Sequence, residues 1–393
     1  MIKVLNIAQF IPVEGLRPDN NISLKIYSDL SSRYRIHSEF VKPVGRTLKL
    51  IQLLKRSSKI RRDIFSQIDY VDKKYGIKIS FYKDKFPLIN RVPVKTNFLL
   101  PLEYKFYRHF LLDMVRTYQP DIIHAHSIDP DAYYAFKLSE EFSIPYILTL
   151  RGTYSSIYDS CRVKKILKNA SSITTPNYTL WSLLKMQCNI ELLPHGIDNI
   201  WFNENQKIFN SDSLRLVTVS RLLEMKNIPV VLKAVARLIA EGFIVTYDIV
   251  GDGEFREKLE GLTNELRIGE FVTFHGFRNA EYIRQIFNNT DIFVMLSYPE
   301  TFGLSYFEAA AQGLYIIGVW NTGAYGHFTE KEATFIDIDE NQLIDVLKNI
   351  NNREFAKKTS RMRSKVSNFS NSRIIERYYE ILIGLNPNHV KNE

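Results

Sequence analysis

The chain has 393 residues, a length that favours two domains, each able to bury its own core. Hydrophobic residues make up 45% and charged residues 24%, the ordinary balance of a soluble globular protein. Its two cysteines, Cys161 and Cys188, exclude a disulfide framework and lack metal-ligand spacing, and no stretch approaches the roughly 20 apolar residues that a membrane span requires. We therefore expect a protein of the reducing cytoplasm that is not integral to a membrane.

The net charge of +9 is concentrated in the first half of the chain. Residues 1–200 hold 30 basic against 18 acidic side chains, whereas the remaining residues hold 22 against 25. Residues 42–108, with 17 basic and 5 acidic side chains, account for the whole excess of the first half. Such a stretch could face nucleic acid, an anionic membrane surface or an acidic substrate.

Apolar runs separated by helical lengths recur along the first half. The first, residues 4–8, is too short for a signal peptide and predicts a buried strand. Further strands are predicted at 37–41, 77–82, 122–126, 144–150, 172–176 and 190–193. Strands that alternate with helices predict a parallel sheet with helices on both faces.

The second half repeats this scheme after a polar, asparagine-rich segment, residues 198–212, which we interpret as the interdomain linker. Its strands are predicted at 214–219, 245–250, 271–274, 291–296, 314–319 and 333–338. We assign residues 1–200 to an N-terminal Rossmann-like domain, 201–370 to a C-terminal one and 371–393 to a closing helix. The predicted fold class is α/β, with two doubly wound parallel-sheet domains facing a cleft at the carboxyl ends of their strands.

The stretch from residue 296 to 313 reads as a buried strand, a loop broken by Pro299, and an alanine-rich helix that begins near Gly303. Free backbone N–H groups and the positive end of the helix dipole would favour an anion there. Glu300 lies on the loop and Glu308 about one and a half turns into the helix, so they could reach different hydroxyls of one ligand. A site that binds a phosphate and, beside it, accepts hydrogen bonds from hydroxyl groups would suit a nucleotide sugar.

Two cations and two glycines follow the neighbouring predicted strands. Arg221 and Lys226 come after strand 214–219, where they could neutralise a diphosphate, although solvated surface charge is the alternative. Gly251 and Gly276 end the next two strands and would line the cleft through close backbone approach, or else form simple turns.

Candidate residues of the first half also stand at carboxyl ends of strands. His126 ends strand 122–126 nearer the cleft, whereas His124 has the position of a packed core histidine. Arg151 follows strand 144–150, and Gly15 and Arg17 lie in the loop after the first strand. Each could touch the acceptor or the donor phosphate. No third metal ligand stands at a convincing spacing, so no metal is expected.

Together these motifs resemble the family 4 retaining glycosyltransferases of the GT-B fold, of the bacterial polysaccharide and glycolipid type. The strongest match is the E-x7-E signature, from Glu300 to Glu308. Arg221 with Lys226, the segment 250–253, the segment 274–276 and the segment 194–198 follow the family's order and rough spacing. The resemblance covers the second half well and the first half loosely.

The resemblance implies a UDP- or GDP-linked sugar as donor on the second domain, an acceptor on the first, and no cofactor. Arg221 and Lys226 would hold the diphosphate, and Glu308 the ribose hydroxyls. Glu300 and the backbone of Phe302, Gly303 and Leu304 would hold the sugar. His126 matches the family histidine that approaches the donor sugar from the first domain. The implied reaction is metal-independent hexosyl transfer with retention, by a front-face mechanism, and residues after about 370 would cross back to the first domain.

The chain departs from the family pattern at several positions. Asp19, Asn20 and Asn21 replace a common glycine pair after the first strand. Arg151 stands where histidine is common, and the glycine-rich loop after strand 314–319 is reduced to residues 322–324. These changes leave the residues assigned to the diphosphate in place. The identities of the sugar and of the acceptor do not follow from the family pattern.

Other functions remain open from the sequence. A glycosidase needs a pair of glutamates but does not explain Arg221 and Lys226. A sugar-nucleotide epimerase on the same fold would use the donor site without an acceptor. A non-catalytic module would use the basic N-terminal stretch, for which nucleic acid is disfavoured because its basic residues follow no known recognition motif.

The basic stretch leads to a hypothesis about the acceptor. Residues 98–115 are aromatic and leucine-rich with flanking basic residues, so they could form a surface helix on anionic lipid or pack in the first domain's core. The acceptor would then be a saccharide or a lipid-linked saccharide at the inner membrane face. The sugar, the base, the linkage and the oligomeric state are not readable from the sequence.

Overall fold

The computed structural model describes residues 1–8, 22–42, 69–71, 77–81, 100–152, 160–202, 207–210 and 212–386. These residues form two compact units. The first unit comprises the described residues within 1–176, those of 180–193, and those from Ile375 onward; the second comprises 177–179 and Pro194–Ile374.

The first unit is built on an eight-stranded sheet. Its strands in chain order are β1 (Ile2–Ile7), β2 (Ile36–Lys42), β3 (Asp69–Val71), β4 (Lys78–Phe81), β5 (Ile122–Ala125), β6 (Tyr146–Thr149), β7 (Ser172–Thr175) and β8 (Ile190–Leu192). Its helices are α1 (Ile22–Arg33), α2 (Leu100–Tyr118), α3 (Tyr133–Phe142), α4 (Cys161–Asn169) and α5 (Tyr178–Leu184), of which the first residues of α5 are grouped with the second unit. The strand order is β3-β4-β2-β1-β5-β6-β7-β8, and every pair is parallel except β3 with β4.

The second unit is built on a six-stranded, all-parallel sheet in the order β11-β10-β9-β12-β13-β14. Its strands are β9 (Ser213–Val219), β10 (Ile244–Val250), β11 (Val272–Gly276), β12 (Ile292–Val294), β13 (Tyr315–Val319) and β14 (Thr334–Ile336). Its helices are α6 (Ile228–Ala240), α7 (Arg256–Glu265), α8 (Ala280–Asn289), α9 (Leu304–Ala311), α10 (Glu340–Asn349) and α11 (Asn352–Val366). A last helix, α12 (Asn371–Leu385), begins in the second unit and continues in the first.

The predicted α/β architecture of two parallel-sheet units is confirmed, and each predicted strand is present. One strand was not predicted, β3, which has only three residues and pairs antiparallel at the sheet edge.

The core of the second unit shows that its sheet is covered on both faces. Leu216 and Ile292 pack into one apolar cluster, whereas Val217 and Phe293, their chain neighbours, pack into another, as alternation along a strand requires.

Strand order reverses at the same place in both sheets. In the first, β1 lies between β2 and β5, and in the second, β9 lies between β10 and β12. Loops that leave such a switch point diverge to opposite faces, which opens a crevice at the carboxyl ends of the strands. Among the described residues, the loops after β5, β9 and β12 are therefore the ones placed to bind a ligand.

The segment predicted as a linker belongs to the second unit. Trp201 and Phe209 are each 4% exposed, and Phe209 stacks on Phe355 at 4.7 Å between ring centroids. The chain instead passes from the first unit to the second between Leu193 and Pro194. The apolar side chains that stand out in this polar segment are the ones that anchor it.

Helix α12 is fixed to the first unit by side chains from its middle turns. Arg377 donates two hydrogen bonds to the carboxylate of Glu191, at 2.5 and 2.9 Å, and Tyr379 stacks on Tyr34 at 3.8 Å. These contacts return the end of the described chain to the first unit.

The helix proposed for lipid docking, α2, buries its apolar face. Leu111, Leu112 and Val115 are at most 3% exposed and belong to the core of the first unit, whereas Arg108 and Arg116 remain on its outer face. Residues 98 and 99 lie outside the described residues. In the described part of the chain, every helix is too short or too polar to cross a bilayer.

Candidate functional site

Lys226 and Glu300 form an ion pair at the carboxyl edge of the second sheet. Lys226 ends a short 3-10 turn after β9, and Glu300 lies in the loop after β12. The Nζ atom of Lys226 is 2.6 Å from Oε2 of Glu300 and 3.2 Å from Oγ of Ser297, which in turn donates to the same carboxylate oxygen at 3.1 Å. The two side chains are only 12% and 15% exposed, so water screens their attraction weakly.

The backbone of Glu300 is clamped by the loop that follows β13. Its N–H donates to the Thr322 hydroxyl at 2.7 Å, and its carbonyl accepts from that hydroxyl at 2.9 Å and from the Gly323 N–H at 3.1 Å. A Cβ on Gly323 or on Gly303 would lie 3.3 Å from the Glu300 Cγ and under 3.0 Å from the Tyr306 ring. Although the glycine loop is reduced, its Gly323 and the neighbouring Gly303 leave the space that the Glu300 side chain occupies.

Helix α9 begins directly after the Glu300 loop. Its N-cap residue, Gly303, has φ of 72° and carries no side chain that could cap the helix. Phe302 turns inward, 2% exposed, and its ring stacks on Phe307 at 4.0 Å, so only its backbone faces the loop. Leu304 is the first helical residue, and Glu308 lies partly buried in the second turn. The predicted strand, loop and helix are therefore confirmed.

Arg221 lies in the loop after β9, five residues before Lys226. It is exposed, and its side chain makes no hydrogen bond or ion pair with any residue that the structure describes. Within the described residues, Arg221 is thus a cation without a partner, whereas Lys226, five positions later, has a carboxylate partner.

Gly251 and its neighbour Gly253 serve the packing of two loops. A Cβ on Gly251, where φ is 132°, would lie 1.8 Å from the Ser220 carbonyl oxygen, and one on Gly253 would lie 2.3 Å from the Leu222 carbonyl oxygen. The close backbone approach predicted here is real, but the neighbour is the loop after β9. Gly276 accepts from the Gly251 N–H at 2.8 Å and extends this contact to the loop after β11.

In the first unit, the residues after β5 and β6 share a hydrogen-bond network. His126 is 4% exposed, with Nε2 at 2.9 Å from the Asn6 Oδ1 and Nδ1 at 3.2 Å from the Ser23 Oγ. Arg151 donates from Nη1 to the same Ser23 hydroxyl at 2.7 Å. His126 and Arg151 are therefore joined through the first turn of α1, beside the switch point of the first sheet.

Both histidines of this region are held neutral. Burial, reinforced by the charge of Arg151, lowers the pKa of His124 to about 3. Burial, then His124 and then Arg151 hold the pKa of His126 well below its usual range. His124 also contacts the Tyr27 hydroxyl at 2.6 Å and the Thr149 hydroxyl at 2.8 Å, which agrees with its predicted place in the core.

Two predicted residues, Gly15 and Arg17, lie outside the described residues. Conversely, Ser297 and Thr322 hold Glu300 but were not singled out by the sequence. Ser297 lies within the predicted strand, loop and helix of residues 296–313, and Thr322 opens the reduced glycine loop, so their positions beside Glu300 and in that loop were the available signal. Among the described residues, His, Cys, Asp and Glu side chains nowhere gather in a group of three that could hold a metal ion.

Sequence comparisons connect the second unit to known proteins. A family model for glycosyl transferases group 1 matches residues 199–365. The GtfA subunit of the UDP-N-acetylglucosamine–peptide N-acetylglucosaminyltransferase of Streptococcus parasanguinis is 32% identical over 156 residues, 39% of this chain and 28% of that protein. The alpha-monoglucosyldiacylglycerol synthase of Streptococcus pneumoniae is 26% identical over 245 residues, 55% of this chain and 56% of that protein. A putative colanic acid biosynthesis glycosyltransferase, WcaL of Escherichia coli, is 24% identical over 219 residues, 51% and 54%. The matched regions span about half or less of these relatives.

Solved structures match along nearly the whole chain. Sucrose-phosphate synthase from Thermosynechococcus elongatus superposes with a TM-score of 0.72 at 17% identity, over 98% of this chain and 99% of that one. HepE from Anabaena, in complex with UDP and glucose, gives 0.64 at 16% identity, over 97% and 99%. The fold of the chain is therefore GT-B, as the sequence motifs implied.

Proposed function

We propose that this GT-B protein is a retaining glycosyltransferase that moves a hexosyl group from a UDP- or GDP-linked sugar to a saccharide or lipid-linked saccharide, in the synthesis of a surface polysaccharide or glycolipid. The observation that carries this is the cluster of Lys226, Glu300 and Ser297 at the switch point of the second sheet. It lies within the region that matches the group 1 glycosyl transferases. The names of the relatives, which include a glycolipid synthase and a polysaccharide transferase, support the acceptor class.

The donor would bind by exchange of partners. Its diphosphate takes Lys226 away from Glu300 and adds Arg221, which pairs with no carboxylate in the described part of the chain. The uncapped N-terminus of α9 contributes its backbone N–H groups to the same charge. Glu300, released from Lys226, accepts hydrogen bonds from the sugar, and Glu308 from the ribose. The backbone from Phe302 to Leu304 and the turns at Gly251 and Gly276 border the nucleotide.

The chemical step consists of one bond made and one broken on the same face of the sugar. The acceptor hydroxyl attacks the anomeric carbon while the bond from that carbon to the diphosphate oxygen breaks, and the hydroxyl proton passes to that oxygen. Negative charge accumulates on the leaving diphosphate. Arg221, Lys226 and the helix N-terminus stabilise this charge, so electrostatics supply most of the catalysis and no metal is required for that role.

His126 would act as a neutral hydrogen-bonding group. Its depressed pKa rules against a role as a cation at neutral pH, and its Nε2 is engaged by Asn6. The longer contact of Nδ1 with Ser23, at 3.2 Å, is the one that a hydroxyl of the donor sugar would replace. Gly15, Arg17 and Arg151 remain candidates for the acceptor.

Membrane association is proposed only in an electrostatic form. The buried leucines of α2 leave its charged outer face for contact with anionic headgroups, which would compete with Glu141 for Arg108 and with Asp113 for Arg116. Sedimentation with vesicles of anionic and of neutral lipid measures this, and equal sedimentation with both would remove the proposal. The enzyme would otherwise act in the cytoplasm on a free saccharide.

A thermal-shift screen of nucleotide sugars tests the donor, since a bound donor raises the melting temperature by mass action. Free nucleotide is then measured with and without candidate acceptors. Release that depends on an acceptor supports transfer. Release without acceptor indicates hydrolysis, and isomerised donor without release indicates epimerisation; either result would replace the proposed reaction.

A further inference from the structure

Two short crossing segments, residues 194–198 and residues 369–371, lie where the chain enters the second unit and shortly before it leaves that unit. They pair with each other. The Ile197 N–H donates to the Phe369 carbonyl, and the Asn371 N–H donates to the Ile197 carbonyl, each at 2.9 Å. The sequence motif at 194–198 is therefore one side of a contact within the second unit.

Gly196 allows the crossing segments to approach this closely. A Cβ at this position would lie 2.7 Å from the Cα atom and 2.8 Å from the Oδ1 atom of Asn371. The nearer atom belongs to the backbone, so a larger residue would push the crossing segments apart. Glycine at this position thus fixes the path of its neighbour, His195.

A pair of stacked phenylalanines fixes the start of helix α9. Phe302 directly precedes the N-cap residue, Gly303, and Phe307 is the fourth residue of the helix. Their rings stack at 4.0 Å with 5° between their planes. This arrangement is a hydrophobic staple, which sets the angle at which a chain enters a helix. In this protein that angle decides where the free N–H groups of the first turn of α9 point.

Each crossing segment places one ring against this staple. The His195 ring, 6% exposed, meets the Phe302 ring edge-on, at 5.2 Å between centroids and 78° between planes. Phe369 meets Phe307 at 4.8 Å, and His327, from the loop after β13, packs edge-on against Phe302 at 5.1 Å. One edge-to-face contact of this kind corresponds to a factor of about 2 to 10 in an equilibrium constant. The start of α9 is therefore tied to the crossing segments through its staple.

We propose that His195 is a positioning residue of the donor site. Its ring acts through Phe302, whose backbone leads into the first turn of α9 and is the backbone assigned to the donor sugar. A displacement of about 1 Å in a group that orients the substrate can lower a rate by about 100-fold, so the entry angle of α9 bears on the rate of transfer. This role in transfer rests on the proposed function, whereas the tie from His195 to α9 does not.

Hydrogen exchange in a peptide that spans residues 302–312 tests the tie without any substrate. His195→Gln, which removes the ring and keeps a polar side chain, should speed the exchange of the α9 amides by about threefold or more, because the staple loses its edge-on neighbour. The matched control is Phe287→Leu, which removes a buried ring of the same core cluster that packs on Trp201 and Phe293 instead. It should leave the exchange of this peptide within about twofold. Unchanged exchange in His195→Gln overturns the proposal.

Steady-state transfer, with the donor found in the nucleotide-sugar screen, tests the consequence for the reaction. His195→Gln should lower kcat by about tenfold, whereas the dissociation constant of UDP or GDP should change by less than about threefold, because Arg221 and Lys226 remain in place. His195→Phe, which keeps an aromatic ring without the nitrogens, should restore kcat to within about threefold. Phe287→Leu should leave kcat within about twofold although it lowers the melting temperature.

The results separate a failure of this inference from a failure of the proposed function. An unchanged kcat in His195→Gln, or a kcat equally low in His195→Phe, overturns the positioning role and leaves the transferase standing. If the unchanged protein neither binds a nucleotide sugar nor transfers one, the proposed function fails, and the hydrogen exchange of α9 still decides whether His195 holds the start of the helix.

Discussion

Replacing Glu300 by Gln should separate nucleotide binding from sugar transfer. Glu300 is the partner of Lys226 at 2.6 Å, and in the proposed complex the diphosphate would compete with it for the ammonium. The pair is partly shielded, so its worth lies between the 0–1 kcal/mol of an exposed pair and the roughly 3–5 kcal/mol lost when a buried pair is broken, or about 2 kcal/mol. Gln keeps the shape and one acceptor oxygen, which can still accept from the Thr301 N–H, but it loses the charge and the second acceptor, which faces Ser297 and Lys226.

Two opposite effects should follow. Without the competing carboxylate, the dissociation constant of UDP or GDP should stay the same or fall by up to about tenfold, since about 1.4 kcal/mol corresponds to a factor of ten. Transfer should fall by about 100-fold or more, because the amide no longer holds the sugar hydroxyls as an anion does. The stability of the protein should fall by about 2 kcal/mol.

Calorimetric titration with UDP and GDP and an assay of acceptor-dependent nucleotide release measure the two effects. Glu257→Gln, an exposed glutamate on α7, is the matched control and should change neither. A nucleotide affinity more than fivefold weaker in Glu300→Gln, or transfer at the unchanged rate, would refute the exchange of partners at Lys226.

Three further predictions concern other residues. Glu308→Gln should weaken UDP or GDP binding by about tenfold, measured by the same titration, and equal affinity would remove its ribose contact. Gly251→Ala should lower the melting temperature by several degrees more than Gly242→Ala, because both glycines have positive φ but only Gly251 meets a carbonyl oxygen at 1.8 Å; equal losses would contradict the loop contact. The buried histidines His124 and His126 have folded pKa values below the unfolded value of about 6.5, so their stabilisation is full above pH 6.5 and is lost as the pH falls toward the folded values. At pH 5 the loss should be about 2 kcal/mol for each, seen in denaturant unfolding at pH 7.5 and 5; a double Gln variant with the same pH dependence would contradict it.

The fold could be predicted from the sequence because buried parallel strands are continuous apolar runs between helices. These runs can be recognised without knowing which strands pair with each other. The strand Asp69–Val71 did not follow from it, because three residues at a sheet edge bury too little to leave a run. The polar segment before β9 was misread as a linker for a related reason. Most residues of this segment are polar and suggested an exposed linker. Its place in the second unit is instead fixed by two buried side chains, Trp201 and Phe209.

The candidate site was predictable as a set of positions and less so as a set of contacts. Lys226 and Glu300 both follow strands that parallel pairing brings to one edge. Their ion pair joins residues 74 positions apart and depends on the exact path of two loops. In the first unit, the Nδ1 atom of His126 contacts the Ser23 hydroxyl, 103 positions away on another element. The need for glycine at position 251 likewise arises from a carbonyl group of a different loop.

Helix α12 determines how this protein could be recombined with others. The chain enters the second unit at Pro194 and leaves it at Ile374, so this unit, which we propose binds the donor, is an insertion in the first unit rather than a C-terminal appendage. A chimaera that takes a new donor specificity therefore needs two junctions, and truncation near residue 370 would strip the first unit of the Arg377 and Tyr379 contacts. The second junction falls inside a continuous helix, between Ile374 and Ile375, both at most 5% exposed. A helix turns by about 100° per residue, so a graft shifted by one position would rotate Arg377 and Tyr379 away from Glu191 and Tyr34. The second junction must therefore preserve the exact residue spacing of the helix.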